Sequence, residues 1–372
     1  MTHFSPELVV NSPGRINIIG EHTDYNLGFV LPTAIEKSIT FKFQKNGCKT
    51  KCHIYSQNFD VGFVVHLEAI KKSAVAWENY VLGVLNEIAK RSNGLAGFDC
   101  IIESKLPTGS GISSSAALEC GLAYGLNELF DLGLTKMDIV TLARDAEHRF
   151  VGTQCGIMDQ FASVMSKEGH VILLDCKTLE PTYIPFQIAP YTLVLLNTNV
   201  THNLASSAYN TRRMECEKGV RLLQQYFPEI KSLREVTKAM LERGKEDMDS
   251  TVYHRCSYIV AENDRVLEAA AALHKNDIKE LGRILYEAHD GMRNDYEISC
   301  PELDFLVDFS KGIPAVVGAR LMGGGFGGCT INLVHQAYKD SYIAQASEAY
   351  EQQFGRTLSA FEVTPSKGTS IV

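Results

Sequence analysis

The spacing of hydrophobic residues changes along the chain and predicts both strands and helices. Apolar and polar residues alternate over residues 38–44, as they do in a half-buried strand. Short apolar runs predict further strands at residues 98–103, 171–175, 192–198 and 329–334. Helical spacing and composition predict helices at residues 77–91, 113–130, 137–150, 205–226, 234–243, 256–274, 277–289 and 339–354. The pattern therefore predicts a chain of mixed α and β structure.

The balance of the two element types changes near residue 190. Strands and helices are mixed before this point, and long helical patterns dominate after it. The chain has 372 residues, which is enough for two domains with a full core. We therefore predict one domain over residues 1–190 and a second over residues 191–372.

A short apolar run near the N-terminus ends in a cluster of polar side chains. Residues 14–24 read GRINIIGEHTD, with Arg15 before the apolar run and Glu21, His22 and Asp24 after it. The cluster is either an exposed loop or a set of donors and acceptors for a ligand. Carboxylates and an imidazole at this spacing suit the hydroxyls of a sugar better than a metal ion, which needs more convergent ligands. An arginine suits the negative charge that moves in phosphoryl transfer.

Glycine and serine are concentrated in residues 107–117, PTGSGISSSAA, before an Ala-rich helix. The segment contains Gly109, Ser110, Gly111, Ser113, Ser114 and Ser115. One serine is enough to cap a helix, so capping alone does not account for four of them. Glycines before a helix N-terminus let an anion reach the exposed N–H groups, where the helix dipole favours negative charge. The segment therefore favours phosphate binding over a plain helix start, and its hydroxyls can also bind Mg²⁺.

A second glycine cluster, GGGFGG at residues 323–328, precedes the strand predicted at 329–334. The cluster contains the G-x-G-x-x-G spacing of dinucleotide-binding folds, but that fingerprint must open a helix. A strand follows here, so we exclude a doubly wound dinucleotide-binding fold. Two interpretations stay open: a tight loop between strands, where glycine supplies positive φ, or a backbone surface packed against a ligand or the first glycine-rich segment.

Two carboxylates lie in half-apolar helical surroundings. Asp159, in QCGIMDQFAS, is either a first-turn aspartate that complements a helix dipole or a general base held in a cleft. Its own surroundings favour the first interpretation. Glu147, in DAEHRF, either lies on a solvated helix face or helps to bind Mg²⁺, if it faces the serine-rich segment.

Composition and charge narrow the class of protein. Hydrophobic residues make up 45% of the chain and charged residues 22%, as in soluble globular proteins. The formal net charge of -8 argues against nucleic-acid and anionic-membrane partners. No apolar run is long enough to span a bilayer. The ten cysteines are scattered and no secretory signal pattern is present, so we expect a reduced, cytoplasmic setting.

Several segments resemble the galactokinase family of the GHMP small-molecule kinases. PGRINIIGEHTDYNLGFVLP (13–32) is similar to the family's signature, PTGSGISSSAALE (107–119) to the superfamily's phosphate-binding motif, and LMGGGFGGCTINL (321–333) to its third motif. CGIMDQFAS, AWENYVLG, SSAYNTRR and RNDYEISCPELD are similar to further segments of the family. Met322 stands where the third motif more often has threonine. The resemblance implies two α+β domains with the active site in the cleft between them.

The resemblance also implies a reaction and roles for residues. The reaction is ATP-dependent phosphorylation of the anomeric hydroxyl of α-D-galactose, the first step of galactose catabolism, with Mg²⁺ as cofactor. Asp159 would be the catalytic carboxylate, and Arg15 beside it would stabilise the transferred phosphoryl group. The implied sugar-binding residues are Glu21, His22, Asp24, Gly156 and Tyr209. The implied nucleotide-binding residues are Gly109, Ser110, Gly111, Ser113, Ser114, Ser115 and Trp77, and the implied Mg²⁺ neighbours are Ser115 and Glu147.

Four questions stay open at this stage. Trp77 is near the adenine by resemblance, but helical spacing alone also allows a core aromatic residue. A carboxylate beside an arginine is a weak base, so Asp159 either removes the proton or positions the hydroxyl. Another sugar-1-kinase, such as an N-acetylgalactosamine kinase, would need only a roomier pocket. A galactose sensor without turnover is disfavoured because the serine-rich segment is intact. We expect a monomer.

Overall fold

The structure is a computed structural model that describes residues 4–107, 109–200 and 205–372. Its strands are β1 (Leu8–Asn17), β2 (Phe29–Val30), β3 (Pro32–Lys45), β4 (Lys51–Ser56), β5 (Val61–His66), β6 (Phe98–Ser104), β7 (His170–Asp175), β8 (Glu180–Pro185), β9 (Tyr191–Asn197), β10 (Val316–Leu321), β11 (Cys329–His335), β12 (Ser359–Val363), β13 (Pro365–Ser366) and β14 (Ser370–Ile371). Its α-helices are α1 (Glu78–Arg91), α2 (Ser114–Phe130), α3 (Lys136–Ala146), α4 (Met158–Met165), α5 (Ala205–Leu223), α6 (Lys238–Gly244), α7 (Ser250–His274), α8 (Ile278–Asn294), α9 (Pro301–Lys311) and α10 (Lys339–Phe354).

The strands form three sheets. The first has seven strands in the order β14-β1-β3-β6-β4-β5, with β13 paired to β3, and only the β4–β6 pair is parallel. The second is antiparallel, in the order β10-β11-β9-β12, and the third joins β2, β7 and β8. Mixed helices and mainly antiparallel sheets confirm the predicted α+β class.

Helix α2 lies close against the first sheet because glycines face the strand side chains. A Cβ on Gly121 would lie 2.2 Å from Cε2 of Phe41, and one on Gly125 would lie 2.1 Å from Cε2 of Phe43. The two phenylalanine rings are stacked with centroids 5.9 Å apart. This close packing fixes the direction of α2 and therefore the position of its N-terminus.

A register shift between Pro13 and Arg15 interrupts the pairing of β1 with β3. Such a bulge bends a strand and re-aims its side chains. Gly14 lies at the bulge, and a Cβ there would lie 2.8 Å from the carbonyl oxygen of Ile112. The amide of Arg15 donates to the same carbonyl at 3.0 Å, so β1 is tied directly to the serine-rich segment.

Most predicted elements are present, with differences at their ends. The helix predicted at 339–354 has the observed bounds of α10. The helix predicted at 234–243 is wrong at its start, because a 3-10 turn covers Leu233–Glu235 and Thr237 caps α6 by accepting from the amide of Met240. Helix α3 ends before the prediction, in a π-helical turn over Glu147–Val151. Helix α9 and strands β2, β4, β5, β8, β10, β12, β13 and β14 have no predicted counterpart.

The division at residue 190 stays a prediction. Strand β9 begins the second sheet at Tyr191, close to that division, whereas β13 and β14 return from the end of the described chain to the first sheet. Within the described residues, no helix combines the length and the apolar character that crossing a membrane requires.

Candidate active site

One cavity of about 320 Å³ collects most of the predicted site residues. Fourteen of the fifteen line it, namely Arg15, Glu21, His22, Asp24, Gly109, Ser110, Gly111, Ser113, Ser114, Ser115, Glu147, Gly156, Asp159 and Tyr209. They come from the end of β1 and the segment after it, the loop before α2 and its first turn, the turn after α3, the approach to α4 and its start, and α5 in the C-terminal half. The glycine-rich loop between β10 and β11 closes another side of the cavity.

Arg15 and Asp159 form a two-pronged ion pair in this cavity. The arginine Nε donates to Oδ1 of the aspartate at 2.7 Å, and its Nη2 donates to Oδ2 at 2.7 Å. Its Nη1 donates to the carbonyl of Gly111 at 2.7 Å, which ties the pair to the serine-rich segment. Asp159 is in the first turn of α4, as the first interpretation predicts, and it also lines the cavity. Its role as a general base stays a prediction. A bidentate pair fixes carboxylate and guanidinium more firmly than a single contact does.

The start of α2 is open to an anion. Ser113 has φ +57° at the N-cap position, but within the described structure no side chain caps the helix there. The Ser113 hydroxyl instead donates to Oδ2 of Asp159. The Ser110 hydroxyl is used inside the loop, where it donates to the carbonyl of Pro107 at 2.7 Å. Among the described residues, the first-turn N–H groups of α2 therefore have no side-chain acceptor, which supports phosphate binding over a plain helix cap.

The Glu21 carboxylate is almost fully buried and already has three donors. Its Oε2 accepts from Nδ2 of Asn17 at 2.9 Å and pairs with Nη1 of Arg320 at 2.7 Å. Its Oε1 accepts from the amide of Gly323 at 3.0 Å. Burial raises the pKa of Glu21, while the charge of Arg320 opposes this rise. The carboxylate is therefore held rigidly at the cavity wall.

Both ring nitrogens of His22 have protein partners. Nε2 lies 3.1 Å from the carbonyl of Gly324, and Nδ1 lies 2.6 Å from the hydroxyl of Tyr25. A carbonyl only accepts, so we assign the proton to Nε2 and let Nδ1 accept from Tyr25. Burial lowers the pKa of His22 to about 4, so the ring is neutral at physiological pH. Its ring lies 4.7 Å from that of Tyr209, so it also shapes the aromatic side of the cavity.

The Asp24 carboxylate is the acidic group of the signature with the fewest partners. Its Oδ1 accepts from the amide of Tyr25 at 2.9 Å, and its Oδ2 receives a long bond of 3.4 Å from the amide of Met158. Gly156 packs directly against it. Burial, and next the charge of Asp159, raise the pKa of Asp24 to about 6. Unfilled lone pairs on a buried carboxylate suit a ligand that brings hydroxyl donors.

Glu147 lies beside the serine-rich segment, as the Mg²⁺ hypothesis requires. Gln160 donates to its Oε2 at 3.2 Å. Burial, and next the charge of Asp159, raise the pKa of Glu147 to about 7. In the part of the chain that the structure describes, no three His, Cys, Asp or Glu side chains are arranged to bind a metal by themselves. Mg²⁺ at phosphates needs only one or two protein ligands, so Ser115 and Glu147 fit it.

Trp77 lines a neighbouring cavity of about 210 Å³ rather than the main one. This second cavity is more apolar, with Ile39, Phe59 and Leu118 in its wall. Tyr80, Ser114 and Ser115 line both cavities, so the two adjoin at the start of α2. The Trp77 ring also packs on Phe63, with centroids 5.2 Å apart. Trp77 therefore packs against the core, as the helical spacing allows, and it also lines a cavity. Its place near the adenine stays a prediction.

Both interpretations of the second glycine cluster also apply. Residues 323–328 form the loop between β10 and β11, with Gly323 at φ +88° and Gly325 at φ +79°. A Cβ on Gly323 would lie 3.2 Å from the carbonyl oxygen of Gly111, so the two glycine-rich segments pack backbone to backbone. Met322 is buried, and its amide donates to the carbonyl of Cys329 at 3.0 Å.

Several residues of the site were not predicted from the sequence. Tyr25 and Gln160 act on His22 and Glu147, and no local pattern marks them. Glu119 is fully buried beside Glu147, and its carboxylate oxygens lack a partner among the described residues. Arg320 did carry a signal: it is a charged residue inside the apolar strand VVGARL, and a buried charge requires a partner.

Comparison with known proteins agrees with this arrangement. Three family models match the chain: the galactokinase galactose-binding signature over residues 2–45, the GHMP kinases N terminal domain over 79–167 and the GHMP kinases C terminal over 269–352. A galactokinase of Thermotoga maritima is 41% identical over 359 residues, which cover 96% of this chain and 98% of that protein. A galactokinase of Roseiflexus sp. is 37% identical over 99% of this chain and 93% of its own length.

Solved structures give the same result. The crystal structure of Lactococcus lactis galactokinase complexed with galactose matches with a TM-score of 0.94 and 32% identity, over 98% of this chain and 94% of that one. The mevalonate kinase of Methanococcus jannaschii matches with a TM-score of 0.67 and 16% identity, over 97% of this chain and 98% of that one, which shows a shared fold only. The chain therefore belongs to the galactokinase family of the GHMP kinases.

Proposed function

We propose that the chain transfers the γ-phosphoryl group of ATP to the C1 hydroxyl of α-D-galactose and forms galactose 1-phosphate and ADP. One observation carries the proposal. The Arg15–Asp159 pair lies at the junction of an acidic, aromatic pocket and the open N-terminus of α2, within one cavity. This is the place where a sugar hydroxyl and a terminal phosphate would meet.

The sugar would occupy the side of the cavity formed by the signature segment. Asp24 offers unfilled lone pairs, and Oε1 of Glu21 has accepted only one bond, so both can accept from sugar hydroxyls. Tyr209 and the backbone at Gly156 close this side, and His22 supports it through Gly324. The matching galactokinase that was solved with galactose supports a sugar as the occupant.

The nucleotide would occupy the other side. The N-terminus of α2, with Gly109 and Gly111 before it at φ +70° and +72°, offers backbone N–H groups and a positive helix end to the phosphates. The adjoining apolar cavity at Trp77 has the volume and lining for a purine base. The triphosphate would then bridge the two cavities along Ser114 and Ser115.

Asp159 would accept a hydrogen bond from the C1 hydroxyl of the sugar. As the C1 oxygen bonds to the γ-phosphorus, the bond between that phosphorus and the bridging oxygen of ADP breaks. Asp159 would take the hydroxyl proton in this step. A loose transition state needs little prior removal of the proton, so a carboxylate already paired with an arginine is a sufficient base. Arg15 would hold the carboxylate in place and stabilise the charge on the transferred group.

Ser115 and Glu147 would hold Mg²⁺, on the grounds that a buried carboxylate beside other acidic groups gains from a nearby cation. When bound, Mg²⁺ would neutralise charge on the phosphate oxygens. We further propose that a single chain is the active unit, because one chain supplies every group named above.

The test is sugar-dependent release of ADP by the purified protein with Mg·ATP, compared between galactose, N-acetylgalactosamine, glucose and no sugar. We expect release with galactose. Asp159→Ala is the matched control, and it should abolish turnover while ATP still binds. Release mainly with N-acetylgalactosamine would reassign the sugar, and ATP binding without release for any sugar would identify a sensor.

A further inference from the structure

Arg320 lies on β10 with its side chain completely buried, which is rare for a charged residue. Its Nε donates to the carbonyl of Ile18 at 2.7 Å, and its Nη2 donates to the carbonyl of Asn17 at 2.6 Å. Its Nη1 donates to the carbonyl of Leu321 at 2.6 Å and pairs with Oε2 of Glu21 at 2.7 Å. The guanidinium therefore holds both the backbone and the carboxylate of the segment that forms the sugar side of the cavity.

These contacts decide which lone pair of Glu21 faces a ligand. Oε2 accepts from both Arg320 and Asn17, so its two lone pairs are filled. Oε1 accepts only from the amide of Gly323 and keeps one lone pair. Arg320 thus orients the carboxylate with one defined acceptor left for a sugar hydroxyl. Its positive charge also opposes the rise in the pKa of Glu21 that burial causes.

A carboxylate binds the backbone of the same segment at a neighbouring residue. The amide of Gly20 donates to Oε1 of Glu262 on α7 at 3.0 Å, and Glu262 is paired with Arg265 at 2.6 Å. The Arg320 cation thus binds the carbonyl oxygens of residues 17–18, and the Glu262 anion binds the amide of residue 20. Both charged residues lie in the C-terminal half of the chain, whereas residues 17–20 lie in the N-terminal half. The C-terminal half therefore sets the geometry of this N-terminal segment.

We propose that Arg320 is a positioning residue for sugar recognition, which holds the Glu21 carboxylate and the backbone of residues 17–18 in the orientation that galactose requires. This inference rests on the proposed function. Lysine cannot replace the arginine here, because a flexible point charge does not reproduce contacts from Nε, Nη1 and Nη2 that diverge in one plane.

The test is Arg320→Lys, which keeps the charge and loses the planar fork. We expect the KM for galactose to rise on the order of 10- to 100-fold, while the KM for ATP changes by less than about twofold, because a misplacement of this kind affects only the sugar side. Arg283→Lys is the matched control, since Arg283 pairs with Glu280 and Glu287 on an exposed face of α8. Exposed pairs contribute little, so this control should behave like the unsubstituted protein.

Two results would overturn the inference. The first is an unchanged galactose KM in folded Arg320→Lys. The second is a parallel rise in the KM values for galactose and ATP together with a lower melting temperature, because a merely structural role of Arg320 would produce that result. If Arg320→Lys does not fold, Asn17→Ala removes the other donor to the same oxygen of Glu21. It should raise the galactose KM alone, and an unchanged value would refute the inference. Failure of the proposed function looks different, because the unsubstituted protein would then lack galactose-dependent turnover.

Discussion

Gly156 packs against the carboxylate of Asp24, and its substitution by alanine measures how strictly that carboxylate must be placed. A Cβ on Gly156 would lie 2.0 Å from Oδ2 and 2.1 Å from Cγ of Asp24, whereas real Cβ atoms essentially never lie within 3.0 Å of a non-bonded heavy atom from elsewhere in the chain. The glycine does not have a positive φ, so its backbone tolerates alanine. The Asp24 carboxylate must therefore move by about 1 Å, because packed interiors leave no room for the added methyl group.

The size of the effect follows from that displacement. A misplacement of about 1 Å costs on the order of 100-fold in kcat/KM, which corresponds to about 2.7 kcal/mol in the activation free energy. We expect Gly156→Ala to raise the galactose KM and to leave the ATP KM unchanged, because the nucleotide side does not contact Asp24. Overpacking should lower the free energy of unfolding by about 1–3 kcal/mol.

The assay is coupled detection of ADP release at saturating ATP, with galactose varied, alongside thermal unfolding. Gly312→Ala is the control, since its Cβ would meet only an ordinary contact at 3.5 Å from the carbonyl of Phe309. A folded Gly156→Ala protein with an unchanged kcat/KM for galactose would refute the reasoning, because the carboxylate would then have moved without consequence for sugar binding.

Two further predictions concern the nucleotide side. Burial raises the pKa of Glu147 to about 7, whereas the ordinary pKa of a glutamate is 4.5. Between these two pH values the folded protein keeps a proton on Glu147 that the unfolded chain releases. Glu147 should therefore lower the stability by about 3 kcal/mol as pH rises through this window. Asp24 adds a fall of the same sign to both proteins, so the Glu147→Gln protein should lose about 3 kcal/mol less than the unsubstituted one. Parallel urea-unfolding results for both proteins at pH 5 and pH 8 would contradict this. Trp77 is the only tryptophan, so nucleotide without sugar should change the emission of the protein, whereas galactose alone should not. A response to galactose alone would place the sugar elsewhere.

The sequence predicted which residues meet in the cavity better than it predicted the contacts that hold them there. Gly109, Gly111 and the serines could be singled out because a helix start that can bind an anion has local requirements that short segments reveal. The pairing of Glu21 with Arg320 could not, because it joins residues at opposite ends of the chain, and no local pattern encodes which distant charge a carboxylate meets.

The same distinction applies to the fold. Helix α10 was predicted with its observed bounds because its apolar spacing is regular and Gly355 ends it at φ +62°. Strand β4 was missed because its buried face includes Cys52 and Ser56, which weakens the alternation of apolar and polar residues. The start of α6 depends on the cap at Thr237, and apolar spacing carries no information about a cap.

The return of the chain to the first sheet has a consequence for biosynthesis. Strand β14 pairs with β1, the buried Thr369 hydroxyl lies 3.0 Å from that of Ser12, and the amide of Gly368 donates to the carbonyl of Ser166 at 2.9 Å. A nascent chain that has emerged only to residue 190 still lacks these partners, so β1 has an open edge until β14 is made. Arg15 lies on that strand, so its surroundings are complete only after residues 365–371 have been made.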